Sequence, residues 1–322
     1  MAAAAVEQKP WEGGVLLVCG GTDFAQLGRT GGKTKKEDLD KESAYPNLLR
    51  PTRLKTFSEI KVMWCASGPA ACHCFVGDNA GNLWSWGRNE KGQLGHGDFC
   101  QRNVPAKVAA VQGSFVIGAS GGRNHSACVC EDGSSYAWGI NQHGQCGTGQ
   151  VKPAKPPSKE AGGTSSFCTG VAGQVHCWGK LKVNGDNQMY PAAVNDLVGW
   201  NVRSFACGPA TFGVAADTAV ITWGAATNGE LGFGPNKKSS ANPAKCEPLD
   251  GGYTHQVACG IGFTMFLVDP AHPRLAEAPE WESAIPVEEA PVPGEAAGPG
   301  KGGKRKAGEA AGGAAAKGKK AK

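Results

Sequence analysis

Leu83-Trp84-Ser85-Trp86-Gly87-Arg88-Asn89-Glu90-Lys91-Gly92-Gln93-Leu94-Gly95 is the stretch that decides the fold, because both of its parts recur along the chain. The first part, Leu83 to Gly87, alternates large apolar and small residues as a half-buried strand does, then stops at a glycine. Its closing pair returns as Trp138-Gly139, Trp178-Gly179 and Trp223-Gly224, with a degenerate copy at Cys19-Gly20. The second part, Gly92 to Gly95, returns as Ala25-Gln26-Leu27-Gly28, Gly144-Gln145-Cys146-Gly147 and Gly229-Glu230-Leu231-Gly232, with glycines where positive φ or close backbone approach is needed. Successive pairs, counted from Cys19, are 67, 52, 40 and 45 residues apart, a spacing that suits propeller blades.

A further phrase precedes these units. It runs Ala66-Ser67-Gly68 before Cys74 to Asp78, Ala119-Ser120-Gly121 before Ala127 to Asp132, Ala206-Cys207-Gly208 before Val214 to Asp217, and Ala258-Cys259-Gly260 before Met265 to Asp269. Its small residues let neighbouring strands approach, and its Asp-containing turns close hairpins. Four short strands per period, without a long amphipathic helix pattern, predict an all-β chain of antiparallel blades arranged radially, a β-propeller. The chain starts on a trailing half, Val15 to Gly28, and its last blade phrase is a leading half, Val257 to Asp269. One blade is therefore expected to be shared, with the ring closed by N- and C-terminal strands. There is material for about five blades, that ending at Trp178-Gly179 being the poorest.

The order of these phrases resembles the regulator-of-chromosome-condensation repeat family, whose blades alternate Ala-Cys-Gly, Trp-Gly and Gly-Gln-Leu-Gly; the match spans roughly residues 13 to 269. It is closer still to the family's mitosis-associated branch, through Leu83 to Asp98, Met189 to Trp200, and Ile221-Thr222-Trp223-Gly224 with Gly229 to Gly234. The resemblance implies seven blades, so about two middle ones are missing here. The break falls in an atypical Pro/Gly-rich junction, residues 150–166, with Pro153, Pro156, Pro157 and Gly162-Gly163. A true five-bladed ring, a deletion and a misassembled gene all account for it.

Composition excludes several classes. With 49 Gly and 40% hydrophobic residues the chain suits a turn-rich β protein, and no apolar stretch approaches the ~20 residues needed to span a bilayer. Met1 to Lys9 lacks the basic start and apolar run of a secretory signal. Most of the 13 cysteines lie singly inside the repeated phrases, which suits reduced core thiols. Residues 1–12 are expected to be a flexible N-terminus, 13–270 the repeat domain, 271–300 a disordered Pro/Ala/Glu-rich linker and 301–322 a basic Lys/Ala/Gly tail. The tail carries Lys301, Lys304, Arg305, Lys306, Lys317, Lys319, Lys320 and Lys322 against one acid, Glu309. Such a tail neutralises phosphates without reading bases, so it suits nonspecific DNA, chromatin or an import receptor; a solubilising role is the alternative.

Candidate chemistry is sparse. Cys72-His73-Cys74 looks like a metal cluster, but a strand would put only the two thiols on one face and no second pair has zinc-site spacing, so neither metal nor cofactor is expected. Arg123, Asn124 and His125, in Gly121-Gly122-Arg123-Asn124-His125, join two strands where a propeller exposes loops, a usual place for binding residues; the bland reading is a turn bonded to local backbone. Arg88 and Asn89 form a second loop-face candidate, with a solvated hairpin tip as the bland reading. The resemblance implies a non-catalytic interaction scaffold, chromatin- or mitosis-associated, nuclear, with a cytoplasmic phase of the cell cycle left open. It equally implies a runner-up, guanine-nucleotide exchange on a Ras-superfamily small GTPase, with Arg123 and His125 at the contact. No counterpart of the projecting insertion that helps better-known members contact a GTPase is found. A light-sensor reading fails because Gly199-Trp200-Asn201-Val202-Arg203 lacks the full photoreceptor phrase. No membrane partner is expected.

Overall fold

The computed structural model describes residues 11–27, 45–141, 146, 165–169, 175–179, 188–236 and 239–283. The chain divides into residues 1–288 and 289–322, the second unit lying outside the described residues. In chain order the strands are β1 (Val15–Gly20), β2 (Leu48–Leu54), β3 (Val62–Ala66), β4 (His73–Asp78), β5 (Leu83–Gly87), β6 (Arg102–Lys107), β7 (Val116–Gly121), β8 (His125–Cys130), β9 (Ser135–Gly139), β10 (Ser165–Thr169), β11 (Val175–Gly179), β12 (Gln188–Ala193), β13 (Val202–Cys207), β14 (Thr211–Ala216), β15 (Ala219–Gly224), β16 (Ser240–Lys245), β17 (Thr254–Gly260), β18 (Phe263–Val268) and β19 (Glu280–Trp281). The helical elements among the described residues are 3-10 turns of three residues. Separate sheets result: β3–β6 and β13–β16 have four strands each, β7–β9 and β10–β12 three each, and another runs β17-β18-β1-β2-β19.

Local chemistry accounts for the hairpins. Asp78 ends β4 and its carboxylate accepts from the Ala80 and Asn82 amides at 3.0 and 2.9 Å and from the Trp84 indole N–H at 2.9 Å, which closes the turn into β5. The glycine after Cys19, Trp86, Trp138 and Trp223 is an obligatory one. Gly20, Gly87, Gly139 and Gly224 have φ of 111°, 119°, 95° and 115°, and a Cβ there would lie 2.4, 2.5, 2.5 and 2.1 Å from a neighbouring backbone oxygen. The Ala-small-Gly phrases also bring sheets together: a Cβ on Gly68 would meet Gly121 O at 1.9 Å, and one on Gly208 would meet Gly260 O at 2.7 Å.

Both ends of the repeat region meet in one sheet, as their half-phrases predict. β1 pairs antiparallel with β18 from Val15↔Val268 to Gly20↔Phe263, and Leu16, Leu17, Val18 and Cys19 are buried at its centre. The expected linker boundary at residue 271 is corrected. Residues 275–277 form a 3-10 turn and β19 pairs parallel with β2, Glu280↔Arg53 and Trp281↔Leu54. The prolines that argued against a strand fall outside it, and Pro279 contributes by accepting from the Arg53 amide at 2.8 Å.

Proline also marks the fourth strand of each repeat. Pro51, Pro105, Pro191 and Pro243 sit in β2, β6, β12 and β16, where a missing N–H is tolerated because the strand lies at an edge; β19 joins β2 only beyond Pro51. By this mark β10–β12 lacks the equivalent of β3, and β7–β9 lacks the equivalent of β6, among the described residues. The two incomplete sheets flank the junction at 150–166, of which residues 150–164 lie outside the described residues. A 3-10 turn follows each fourth strand and buries its third residue: Phe57, Val111, Leu197 and Leu249.

Packing runs from β7–β9 to β3–β6, then to the shared sheet, then to β13–β16. Phe75, Leu83 and Val116 join the first two with Trp138 alongside; Leu16, Val18, Trp84, Trp86 and Met265 join the next; Leu17, Phe266, Ala215 and Val220 join the last. Each Leu, Val, Phe or Met side chain among them contributes about 1.5–3 kcal/mol on burial. Trp86 and Trp138 of the Trp-Gly pairs fill these seams, Trp86 against Phe57 and Trp138 against Phe75, both at 6.1 Å between ring centroids.

Candidate functional site

Two kinds of loop share one end of the complete sheets: the link from first to second strand and the link from third to fourth. In β3–β6 these are residues 67–72 and 88–101. They are stitched to neighbouring sheets, with the Ile261 amide donating to Ala71 O at 2.9 Å and the Gly121 amide to Ser67 O at 3.3 Å. The hairpins and 3-10 turns occupy the opposite end.

Arg88 and Asn89, expected as exposed loop-face candidates, are corrected in their exposure: they open the longer loop and hold it from within. The Arg88 guanidinium donates to Leu27 O, joining β3–β6 to the loop after β1. Asn89 is fully buried. Its amide nitrogen donates to Asp98 O, Asp98 Oδ1 and Cys100 O at 3.0, 2.9 and 3.0 Å, while its Oδ1 accepts from the Leu94 amide at 2.9 Å. Arg102 clamps the same aspartate with two bonds of 3.0 and 2.8 Å, and these hold the Asp98 carboxyl below the usual carboxylate range. Between the clamped residues the loop displays Phe99, 73% exposed, with Cys100 exposed beside it. Sequence reasoning passed over Phe99. The available signal was an aromatic inside a Gly/Asp loop, away from any alternating strand.

The second candidate is split. Arg123 is exposed, whereas Asn124 and His125 are half-buried. Backbone bonds close their turn: the Gly122 amide donates to His125 O at 2.9 Å and the Ile140 amide to Asn124 O at 2.8 Å. His73 occupies the same register position in β4 and is fully buried. Ser126 Oγ donates to Gln93 O at 2.7 Å, so it accepts from His73 Nε2 at 2.9 Å, which assigns the proton to that nitrogen. Burial, with His125 nearby, holds the imidazole down to about 3, so it is neutral. The Trp138 indole donates to the same Gln93 carbonyl at 2.8 Å. The Cys72-His73-Cys74 phrase is thus a structural tie between β4, β8 and the loop that displays Phe99. Lys301, Lys304, Arg305, Lys306, Lys317, Lys319, Lys320 and Lys322 lie outside the described residues.

With this geometry in place, similarity to known proteins is informative. The family "Regulator of chromosome condensation (RCC1) repeat" matches residues 80–129 and 217–267, and a second description of the same repeat matches 116–145. The chain is 26% identical to the protein RCC2 homolog of Xenopus laevis over 420 aligned positions, covering 83% of this chain and 81% of that protein. It is 28% identical over 279 positions to the probable E3 ubiquitin-protein ligase HERC6 of Homo sapiens, covering 79% of this chain and 25% of that one. Among solved structures, Prp20p of Saccharomyces cerevisiae aligns over 80% of this chain and 92% of its own, at 14% identity and a TM-score of 0.40. The matched repeats coincide with Trp-Gly and Gly-Gln-Leu-Gly phrases and the sheets they form, so this all-β chain carries regulator of chromosome condensation repeats and is similar to RCC2 proteins.

Proposed function

We propose that the chain is a non-catalytic propeller scaffold, chromatin- or mitosis-associated, which docks a protein partner on its loop end and holds nucleic acid through its basic tail. Its sheets are blades of a ring with about two blades fewer than the family's usual seven. The alignment with the Xenopus laevis protein supports a shortened ring: it runs over 420 positions while covering 83% of the 322 residues of this chain, so the relative carries an excess on the order of two to three repeat periods. Residues 271–283 belong to the propeller and 301–322 form the tail.

The observation that carries the docking role is Phe99. Exposed aromatics on pre-organised loops supply large contact area at little ordering cost, which is what dominates partner affinity. The surrounding polar groups, Asn89, Asp98 and Arg102, are committed to holding that loop. Phe99→Ala should therefore abolish partner capture on mitotic chromatin while leaving the melting temperature and duplex binding unchanged. Duplex binding should instead disappear on removal of residues 301–322, with a log-log salt slope no steeper than about −7 for eight basic residues. Equal duplex affinity with and without the tail would refute the nucleic-acid role. Release of labelled GDP from a Ras-superfamily GTPase, stimulated by the chain and lost in Phe99→Ala, would make exchange the function instead.

A further inference from the structure

The residue at the second position of Gly-Gln-Leu-Gly and its copies changes character once along the chain. It is the neutral amide of Gln26, Gln93 and Gln145 in three repeats, and the carboxylate of Glu230 in the fourth. The geometry is shared: Lys91 N donates to Gln93 Oε1 at 2.8 Å, as Asn228 N donates to Glu230 Oε2 at 2.8 Å. The substitution therefore adds a charge without changing the loop. Glu230 is only 5% exposed, and among the described residues it makes no ion pair. An acid is rarely buried without a cation.

That carboxylate lines a cavity of about 260 Å³ at the loop end, between β13–β16 and the shared sheet. Pro209, Ala210 and Ile261 supply apolar wall. Thr211 supplies a hydroxyl that is buried, with its residue 4% exposed, and has no hydrogen-bond partner among the described residues. The volume lies below the ~300–1,000 Å³ of pockets that take drug-sized ligands, which suits one side chain. An apolar wall, a carboxylate whose oxygens accept from Asn228 N and Nδ2 at 2.8 and 3.0 Å but meet no cation among the described residues, and an unused hydroxyl oxygen match a methylene stem ending in an ammonium with three donors.

We propose that this cavity is a receptor for a lysine side chain presented by a partner protein. The site deepens the docking reading of the loop end and rests on it only for that location; it uses neither Phe99 nor the basic tail.

The test uses the full chain and a short probe, Ac-Ala-Lys-Ala-NH2, with the same peptide acetylated on the lysine as its neutral control. Backbone amide shifts of Asn228 and Gly262 report occupancy. Saturable shifts with the lysine peptide, at least tenfold weaker binding in Glu230→Gln, and no saturation with the acetylated peptide are expected. Glu230→Gln installs the residue carried by the other three repeats, so it should keep the fold, and its unchanged melting temperature checks this. Equal response to both peptides would overturn the proposal. So would absence of saturable shifts at Asn228 and Gly262, whether the cavity stays empty or lysines of this chain already fill it. A loss of partner capture in Phe99→Ala with peptide binding intact, or the reverse, separates this site from the docking surface.

Discussion

Sheets β3–β6 and β7–β9 are written in the same phrase and paired in the same register, His73 opposite Gly87 and His125 opposite Gly139, yet they differ in burial. Every residue of β4 and β5 is buried. In β8 buried residues alternate with exposed or half-buried ones, and β9 has no buried residue. The difference does not come from strand propensity. β3–β6 has the shared sheet on one side and β7–β9 on the other, whereas β7–β9 leaves Ile117 and Val129 50% and 47% exposed on the side away from β3–β6. The repeated phrase specifies a hairpin; the flanking sheet decides whether that hairpin becomes core.

The largest test removes one neighbour from the better-buried sheet. Deleting residues 1–28 takes away β1, the middle strand of the shared sheet, and with it Leu16 and Val18, which pack in the cluster of Trp84 and Trp86. Loss of these two side chains with Phe24 and Leu27 of the same cluster, at about 1.5–3 kcal/mol each, is comparable with a whole domain's stability of about 5–15 kcal/mol. Cooperative melting followed by circular dichroism should disappear, and an unchanged midpoint would break the comparison.

Two point changes then sharpen it. Phe75→Ala, inside the seam between the two sheets, should cost about 3–5 kcal/mol in urea denaturation. Val129→Ala, on the open side of β7–β9, should cost less than about 0.5 kcal/mol. Comparable costs would mean that the open face is covered in solution.

The smallest effect is a pH dependence. His73 titrates near 6.5 when unfolded and about 3 when folded, so the unfolded chain binds a proton that the fold refuses. Its contribution is complete above pH ~6.5 and is lost as the pH falls from there toward 3, at up to about 1.4 kcal/mol per pH unit. His96, held to about 4 chiefly by burial and then by Arg102, acts with the same sign. Stability measured across this window should fall less steeply in His73→Gln than in the parent, and identical slopes would show that His73 is protonated in the fold.

Much of the architecture was legible before any coordinates. Trp86-Gly87 and its copies, the Asp78 turn and the split of one sheet between the two ends are short-range patterns or matters of chain order, and the structure reproduces them. The loop candidates fared differently. Arg123 was correctly placed at the surface, but Arg88 and Asn89 turned inward. Polar residues in a glycine-rich loop look alike in sequence whether they face solvent or satisfy that loop's own backbone.

Sequence by itself determined the all-β repeat, its hairpins, its glycine stops and the union of its two ends, because alternation and turn chemistry act over a few residues. Tertiary structure decided the rest. It showed that proline-spaced residues beyond 270 add a parallel strand, that Asn89 and Arg102 serve to display Phe99, and that Glu230 and Thr211 line one cavity. Each of these depends on groups far apart in the chain arriving together, as Arg53 meets Glu280 and the Pro209–Thr211 turn meets Ile261, and burial is a property of that meeting rather than of either segment.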